Sequence, residues 1–165
     1  MKKIFVDMDG VLTNFEKRYL ELFNTDPGET RDKKFPEHWR TIVDDMHFET
    51  LEFMPGAEVL LDYLKTLTSV QKVILSSTGG YEDHGEISSQ KRQWLLRNQL
   101  LPMWTTVIFV PGKEYKKGYA DSNSLLIDDT LSIIVDFQKA GGTAIHYKEP
   151  DPQYAIKFIK KWLND

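Results

Sequence analysis

The chain has no cysteine in its 165 residues, which excludes disulfides, thiolate chemistry and cysteine-based zinc sites. Histidine is scarce too, and the four present are scattered without the spacing of a ligand cluster. No apolar run approaches the roughly 20 residues that a membrane-spanning helix needs, and the N-terminal residues run straight into a strand pattern with no signal-peptide layout. The chain is therefore expected to be soluble and cytoplasmic, with no membrane partner. Basic residues are outnumbered by acidic ones, 21 to 25. A net charge of −4 argues against the basic face that duplex nucleic acid requires, yet leaves a nucleotide open as a ligand. Neither a repeat nor a low-complexity stretch is found.

What the chain does contain is enough apolar residues, 41%, for one core in a single domain of this length. Strands and helices alternate along it. The short apolar run after Lys2 and Lys3, Ile4, Phe5 and Val6, reads as a buried strand that ends at Asp7, and Phe15, Tyr19, Leu22 and Phe23 recur at helical spacing, predicting a helix over Thr13 to Asn24. Turn residues and mixed charge make Asn24 to Lys34 a loop. Phe35, Trp39, Ile42, Val43 and Met46 mark a second amphipathic helix, with Pro36 suited to its first turn. Met54-Pro55-Gly56 ends this stretch, and Val59, Leu60, Tyr63, Leu64 and Leu67 form the apolar side of the next helix. Gln71 to Ser76 is a strand, and Ser88 or Ser89 is expected to cap a helix reaching about Asn98. Strands over Thr105 to Val110, Leu125 to Ile127 and Thr143 to Tyr147 follow, with a helix around Ile133, Ile134 and Phe137 and a last one from Asp151-Pro152.

This succession predicts an α/β fold: a three-layer, Rossmann-like parallel sheet with helices on both faces. The helices of residues 14–53 come before any second strand, so they read as a small helical cap inserted after the first strand, with 1–13 and 54–165 forming the core. In such sheets ligands bind beyond the carboxyl ends of the strands. The unusual polar residues fall there: Asp7 and Asp9 after the first strand, Ser76 and Ser77 after the second, Asp128 and Asp129 after the fourth. Side chains at i and i+2 of an extended segment point the same way, so Asp7 and Asp9 face one space while Met8 turns inward. Two carboxylates aimed at one point repel unless a cation or shared proton offsets them. Mg2+, which takes oxygen ligands and bridges carboxylates to phosphate, is the expected cofactor. The plain reading of each piece, a charged strand end or an ordinary turn, loses ground because the pieces sort to one edge.

The run V-D-M-D-G-V-L-T, a strand ending in Ser76, Lys91 on a later helix and L-L-I-D-D together resemble the haloacid dehalogenase superfamily of phosphohydrolases. Within it, D-M-D-G-V-L-x-x-F and M-P-G-A look most like the 5'(3')-deoxyribonucleotidase branch. The resemblance implies a Mg2+-dependent phosphomonoesterase. Asp7 would be the nucleophile that forms an aspartyl phosphate, and Asp9 the general acid and then base. The metal would be held by Asp7, the backbone carbonyl of Asp9, and Asp128, with Asp129 orienting them. Ser76, the backbone of Ser77, and Lys91 would bind the phosphoryl group, with Lys113, Lys116 and Lys117 as rival lysines. Phe15 and Phe48 would line the substrate pocket, with Phe35 and Trp39 as further aromatics.

The implied partner is a small phosphorylated metabolite, foremost a (deoxy)nucleoside monophosphate. Another phosphorylated substrate, such as a sugar phosphate or nucleic-acid end, is the enzymatic alternative. A phosphomutase would need a larger cap. A non-catalytic Mg2+- and phosphate-binding protein of the same fold is the alternative outside catalysis. A receiver-type signalling domain fits less well, because it carries adjacent acids after its first strand and its phosphorylated Asp after the third, where this chain has Val110-Pro111-Gly112.

Overall fold

The computed structural model describes residues 1–28 and 33–165. Five parallel strands form one sheet in the order β3-β2-β1-β4-β5, with β1 (Lys3–Val6) at the centre, β2 (Gln71–Ser77) and β3 (Thr106–Val110) on one side, and β4 (Ser124–Asp128) and β5 (Thr143–His146) on the other. Phe5 sits opposite Val73 on one neighbour and Leu126 on the other. Because side chains alternate across a strand, Ile4, Val6, Ile74, Leu125 and Ile127 fill one core, while Phe5, Val73, Leu75, Leu126 and Ala144 fill a second. Both faces are covered, as an all-parallel sheet requires. The first core receives Leu60 and Leu64 of α3 (Ala57–Thr66), Ile87, Trp94 and Leu95 of α4 (His84–Arg97), and Ala155 and Ile159 of α6 (Pro152–Asn164). The second receives Ile133, Ile134 and Phe137 of α5 (Leu131–Lys139). No helix among the described residues is long and apolar enough to cross a membrane.

Helices α1 (Phe15–Phe23) and α2 (Phe35–Asp44) lie in the segment predicted as an insertion. Its two ends are stitched together: Thr13 bridges Phe53, Asn14 N–H donates to the Glu52 carbonyl at 2.8 Å, and Met54 N–H donates to the Leu12 carbonyl at 2.8 Å. Part of the loop predicted for 24–34, residues 29–32, lies outside the described residues.

Several boundaries differ from expectation for local reasons. Helix α1 starts two residues later than predicted, because the Asn14 side chain accepts from Lys17 N–H and caps it. Helix α4 starts at His84, ahead of Ser88 and Ser89, so neither serine is a cap. Asp83 and Glu86 sit at the helix N-terminus, where negative charge is favourable. Lys91 thus lies in the middle of α4. Val59 is 45% exposed, and Leu67 lies just past the end of α3, so the apolar side of α3 is narrower than its sequence suggests. Asp151 does cap α6, accepting from Tyr154 N–H at 3.0 Å.

Candidate active site

Chain order reverses at β1: β2 is on one side and β4 on the other, so a crevice opens at the carboxyl end of β1. The loop leaving β1 is a tight turn in which the Met8 carbonyl accepts from the N–H groups of Val11, Leu12 and Thr13, and Gly10 N–H donates to the Thr13 carbonyl. Gly10 adopts φ +84°, and a Cβ there would overlap the Asp129 carboxylate. Only glycine meets both conditions. Met8 is buried as expected, and Asp7 and Asp9 both line a cleft of about 600 Å³.

Asp7, Asp128 and Asp129 each place a carboxylate oxygen within 4.8 Å of the others. Asp7 Oδ1 accepts from Met8 N–H at 2.8 Å and Asp128 Oδ1 from Thr130 N–H at 2.9 Å. Lys116 enters this cluster almost fully buried, with Nζ 2.6 Å from Asp128 Oδ2 and 3.0 Å from Asp7 Oδ1. Burial pushes the Asp7 carboxyl up to about 7, opposed by Lys116 and assisted by Asp128. Burial and the charges of Asp128 and Asp9 push Asp129 up to about 6. Burial works against the Lys116 ammonium, but Asp7 and Asp128 outweigh it and hold its pKa above the ordinary lysine value.

Asp9 has a different partner. Its Oδ1 accepts from the Thr13 hydroxyl at 2.8 Å and its Oδ2 from Lys91 Nζ at 2.8 Å. Lys91 is itself 2% exposed and also donates to Ser76 Oγ and to the Ser77 carbonyl, both at 2.9 Å. The structure therefore brings two lysines to the centre, one on each carboxylate of D-x-D. Lys91 is not the lysine beside Asp7 and Asp128; Lys116 is. A signal for it exists in the sequence: in K-E-Y-K-K, which forms the 3-10 helix Lys113–Tyr119, positions three apart fall on one side. Lys113 and Lys116 line the cleft, and Lys117 is exposed and not part of its lining.

Of the two serines, Ser77 lines the cleft, and its Oγ accepts from Gly79 N–H at 3.2 Å. Ser76 is fully buried behind it and holds Lys91. Phe15 lines the cleft together with Phe35, Trp39 and Met54. Phe48 does not. It is 1% exposed, stacks under Phe15 with ring centroids 5.7 Å apart, and lies beneath the Lys91 ammonium at 5.3 Å. The expectation of Phe48 as a lining residue is thus corrected: its ring supports lining residues from behind, because the 3-10 turn His47–Glu49 packs against α4.

An oxygen-only donor set suits Mg2+. Asp7, Asp128 and Asp129 supply carboxylates, and the Asp9 carbonyl is left free of backbone hydrogen bonds among the described residues.

The five-stranded parallel sheet with its covering helices is a fold this chain shares with solved haloacid dehalogenase-like hydrolases. One such hydrolase from Xanthomonas campestris superposes with a TM-score of 0.63 at 11% identity, covering 98% of this chain and 96% of that one. The D,D-heptose 1,7-bisphosphate phosphatase of Burkholderia thailandensis superposes with a TM-score of 0.55 at 12% identity over 96% and 99% of the two chains. YfnB of Bacillus subtilis, a HAD-hydrolase structure bound to magnesium, gives 0.52 at 14% identity over 87% and 85%. No family model and no curated protein matches the sequence.

Proposed function

We propose that the chain is a Mg2+-dependent phosphomonoesterase that works through an aspartyl phosphate on Asp7. The observation that carries this reading is the meeting of Asp7, Asp129 and Lys116 in the lining of a cleft with the fully buried Asp128, and Asp9 lining the same cleft. Asp7 Oδ1 is taken up by Met8 N–H and Lys116, so Oδ2 is the atom that attacks phosphorus. As the new P–O bond forms, the bond to the leaving oxygen breaks, and Asp9 delivers a proton to that oxygen. Asp9 then takes a proton from the water that attacks phosphorus and releases phosphate. Thr13 and Lys91 hold the Asp9 carboxyl in place, and Lys116 with the Ser77 hydroxyl balances charge on the phosphoryl oxygens. Mg2+, held by Asp7, Asp128, Asp129 and the Asp9 carbonyl, would supply charge neutralisation between the carboxylates and the phosphate.

Residues 14–53 act as the cap in this reading, placing Phe15, Phe35 and Trp39 over the cleft opposite the charged floor. A flat, aromatic leaving group fits that wall, which favours a (deoxy)nucleoside monophosphate over a sugar phosphate. The chain carries out this reaction in the cytoplasm on a small metabolite. Phosphate release from 5'- and 3'-deoxynucleoside monophosphates, sugar phosphates and an aryl phosphate, with Mg2+ and with EDTA, tests both levels. Preference for deoxynucleotides, with Phe15→Ala raising their KM more than that of the aryl phosphate, is the expected outcome. Release from sugar phosphates alone would remove the nucleotide assignment.

A further inference from the structure

The lysines that reach the catalytic cleft divide into two kinds. Lys116 is buried and paired with Asp7 and Asp128, and Lys91, buried behind the wall, is held by Asp9, the Ser76 hydroxyl and the Ser77 carbonyl. Lys113 and Lys148 are exposed, line the same cleft, and have no hydrogen-bond or ion-pair partner among the described residues. They come from separate parts of the chain, Lys113 opening the 3-10 helix after β3 and Lys148 following β5, and both of these regions pack on α5. No acidic neighbour pairs with them: the Glu114 carboxylate lies against Gly112, Asp151 is engaged as the α6 cap, and neither Glu149 nor the cleft-lining Glu16 forms an ion pair with either lysine among the described residues.

A phosphoryl group at Asp7 is already served by Lys116 and the oxygen cluster, so these two cations are surplus to a simple monoester. The cleft, at about 600 Å³, has room for a ligand larger than one phosphate. The rest of its wall includes the apolar Phe15, Phe35, Trp39 and Met54 beside the polar Asn14, Glu16 and Thr130, so the leaving group combines an apolar body with something the two ammonium groups recognise.

We propose that Lys113 and Lys148 form a subsite for a second anionic group on the substrate, making the preferred substrate class a phosphomonoester that carries another phosphate. Which phosphate is hydrolysed rests on the phosphomonoesterase reading above; the subsite itself does not. Two phosphates on one scaffold would span the cleft, one at Asp7 and the other at the lysine pair. Charge-assisted contacts of this kind, in a partly exposed setting, are worth about tenfold in affinity together at moderate salt.

The test is calorimetric binding, with Mg2+ present, to Asp7→Asn protein, which retains the lysines and does not turn substrate over. Deoxythymidine 3',5'-bisphosphate is compared with the 5'-monophosphate, and fructose 1,6-bisphosphate with fructose 6-phosphate, which separates a nucleoside-borne from a sugar-borne second phosphate. The bisphosphate of at least one pair should bind about tenfold more tightly, the advantage should shrink with added salt, and Lys113→Met with Lys148→Met should abolish it while leaving the monophosphate Kd within about twofold. Equal affinities in both pairs, or an advantage that survives removal of the lysines, would overturn the subsite. Aryl phosphate hydrolysis by protein with Asp7 intact is measured alongside. Its absence would sink the phosphatase reading without touching the binding result, and its persistence in the lysine double variant is expected.

Discussion

At the scale of single residues, the centre is governed by how two buried ammonium groups are shared among carboxylates. Lys116 is the only cation within 4 Å of Asp7 and Asp128 among the described residues, so Lys116→Met leaves the fully buried Asp128 carboxylate without its counter-ion. A loss of about 3–5 kcal/mol is expected in urea unfolding without Mg2+, and Mg2+ should recover part of it. Lys91→Met acts elsewhere: it frees the partly exposed Asp9 carboxyl from its orienting partner. The expected result is a fall of about a hundredfold in kcat with KM nearly unchanged; a change confined to KM would contradict the positioning role. The pH dependence of the metal-free protein follows from Asp7, whose carboxyl lies near 3.8 when unfolded and about 7 when folded. Between those values the folded state keeps a proton that the unfolded chain has lost, so this contribution is complete below about pH 4 and disappears as pH rises through 7. Melting temperatures in EDTA should therefore fall more steeply from pH 5 to pH 8 than those of Asp7→Asn. The carboxylates of this centre were legible in the sequence because they sit at fixed offsets from strand ends. The lysines were harder to rank, because a 3-10 turn and a long helix can each deliver one, and only the packing decides which carboxylate each meets.

At the scale of elements, strands and helices were legible because apolar periodicity reports them directly: all five predicted strands exist, and their parallel pairing follows from the intervening helices. Boundaries were less legible where local signals conflict. Ser88 and Ser89 look like caps, but the helix is continued upstream by contacts that sequence does not display, such as Arg40 of α2 donating to Asp83 at 3.0 Å. The burial of Phe48 was illegible for the same reason, since an aromatic ahead of a turn can face a pocket or a neighbouring helix. Helix α4 is tied to the 14–53 segment by Trp94 Nε1, which donates to the Leu51 carbonyl at 2.7 Å, and by Gln90 Nε2, which donates to the Val43 carbonyl at 2.8 Å. Trp94→Phe keeps most of the ring and orphans that carbonyl, so it should cost about 1–3 kcal/mol. Chemical denaturation checks this, and an unchanged midpoint would mean that the tether carries no weight. Gly10→Ala meets both a left-handed backbone and the Asp129 carboxylate. It should weaken Mg2+ binding at least tenfold in a calorimetric titration even where the protein still folds.

At the scale of the whole molecule, the sheet brings its charged loops to one edge, and residues 14–53 contribute an aromatic wall facing them across the cleft. Concentrating Asp7, Asp128 and Asp129 at one point costs stability in the absence of a counter-ion, and a divalent cation that binds only the folded state repays it by mass action. Mg2+ should therefore raise the melting temperature at pH 8, and by less at pH 5, where protons compete for Asp7 and Asp129. The most direct measurement of the central claim is phosphate release from an aryl phosphate by the unaltered protein and by Asp7→Asn, each with Mg2+ and with EDTA. Release that requires both Mg2+ and Asp7, from a variant whose circular dichroism and melting curve show it folded, is the predicted result. Hydrolysis that continues in Asp7→Asn, or that EDTA leaves untouched, would contradict the aspartyl-phosphate mechanism outright.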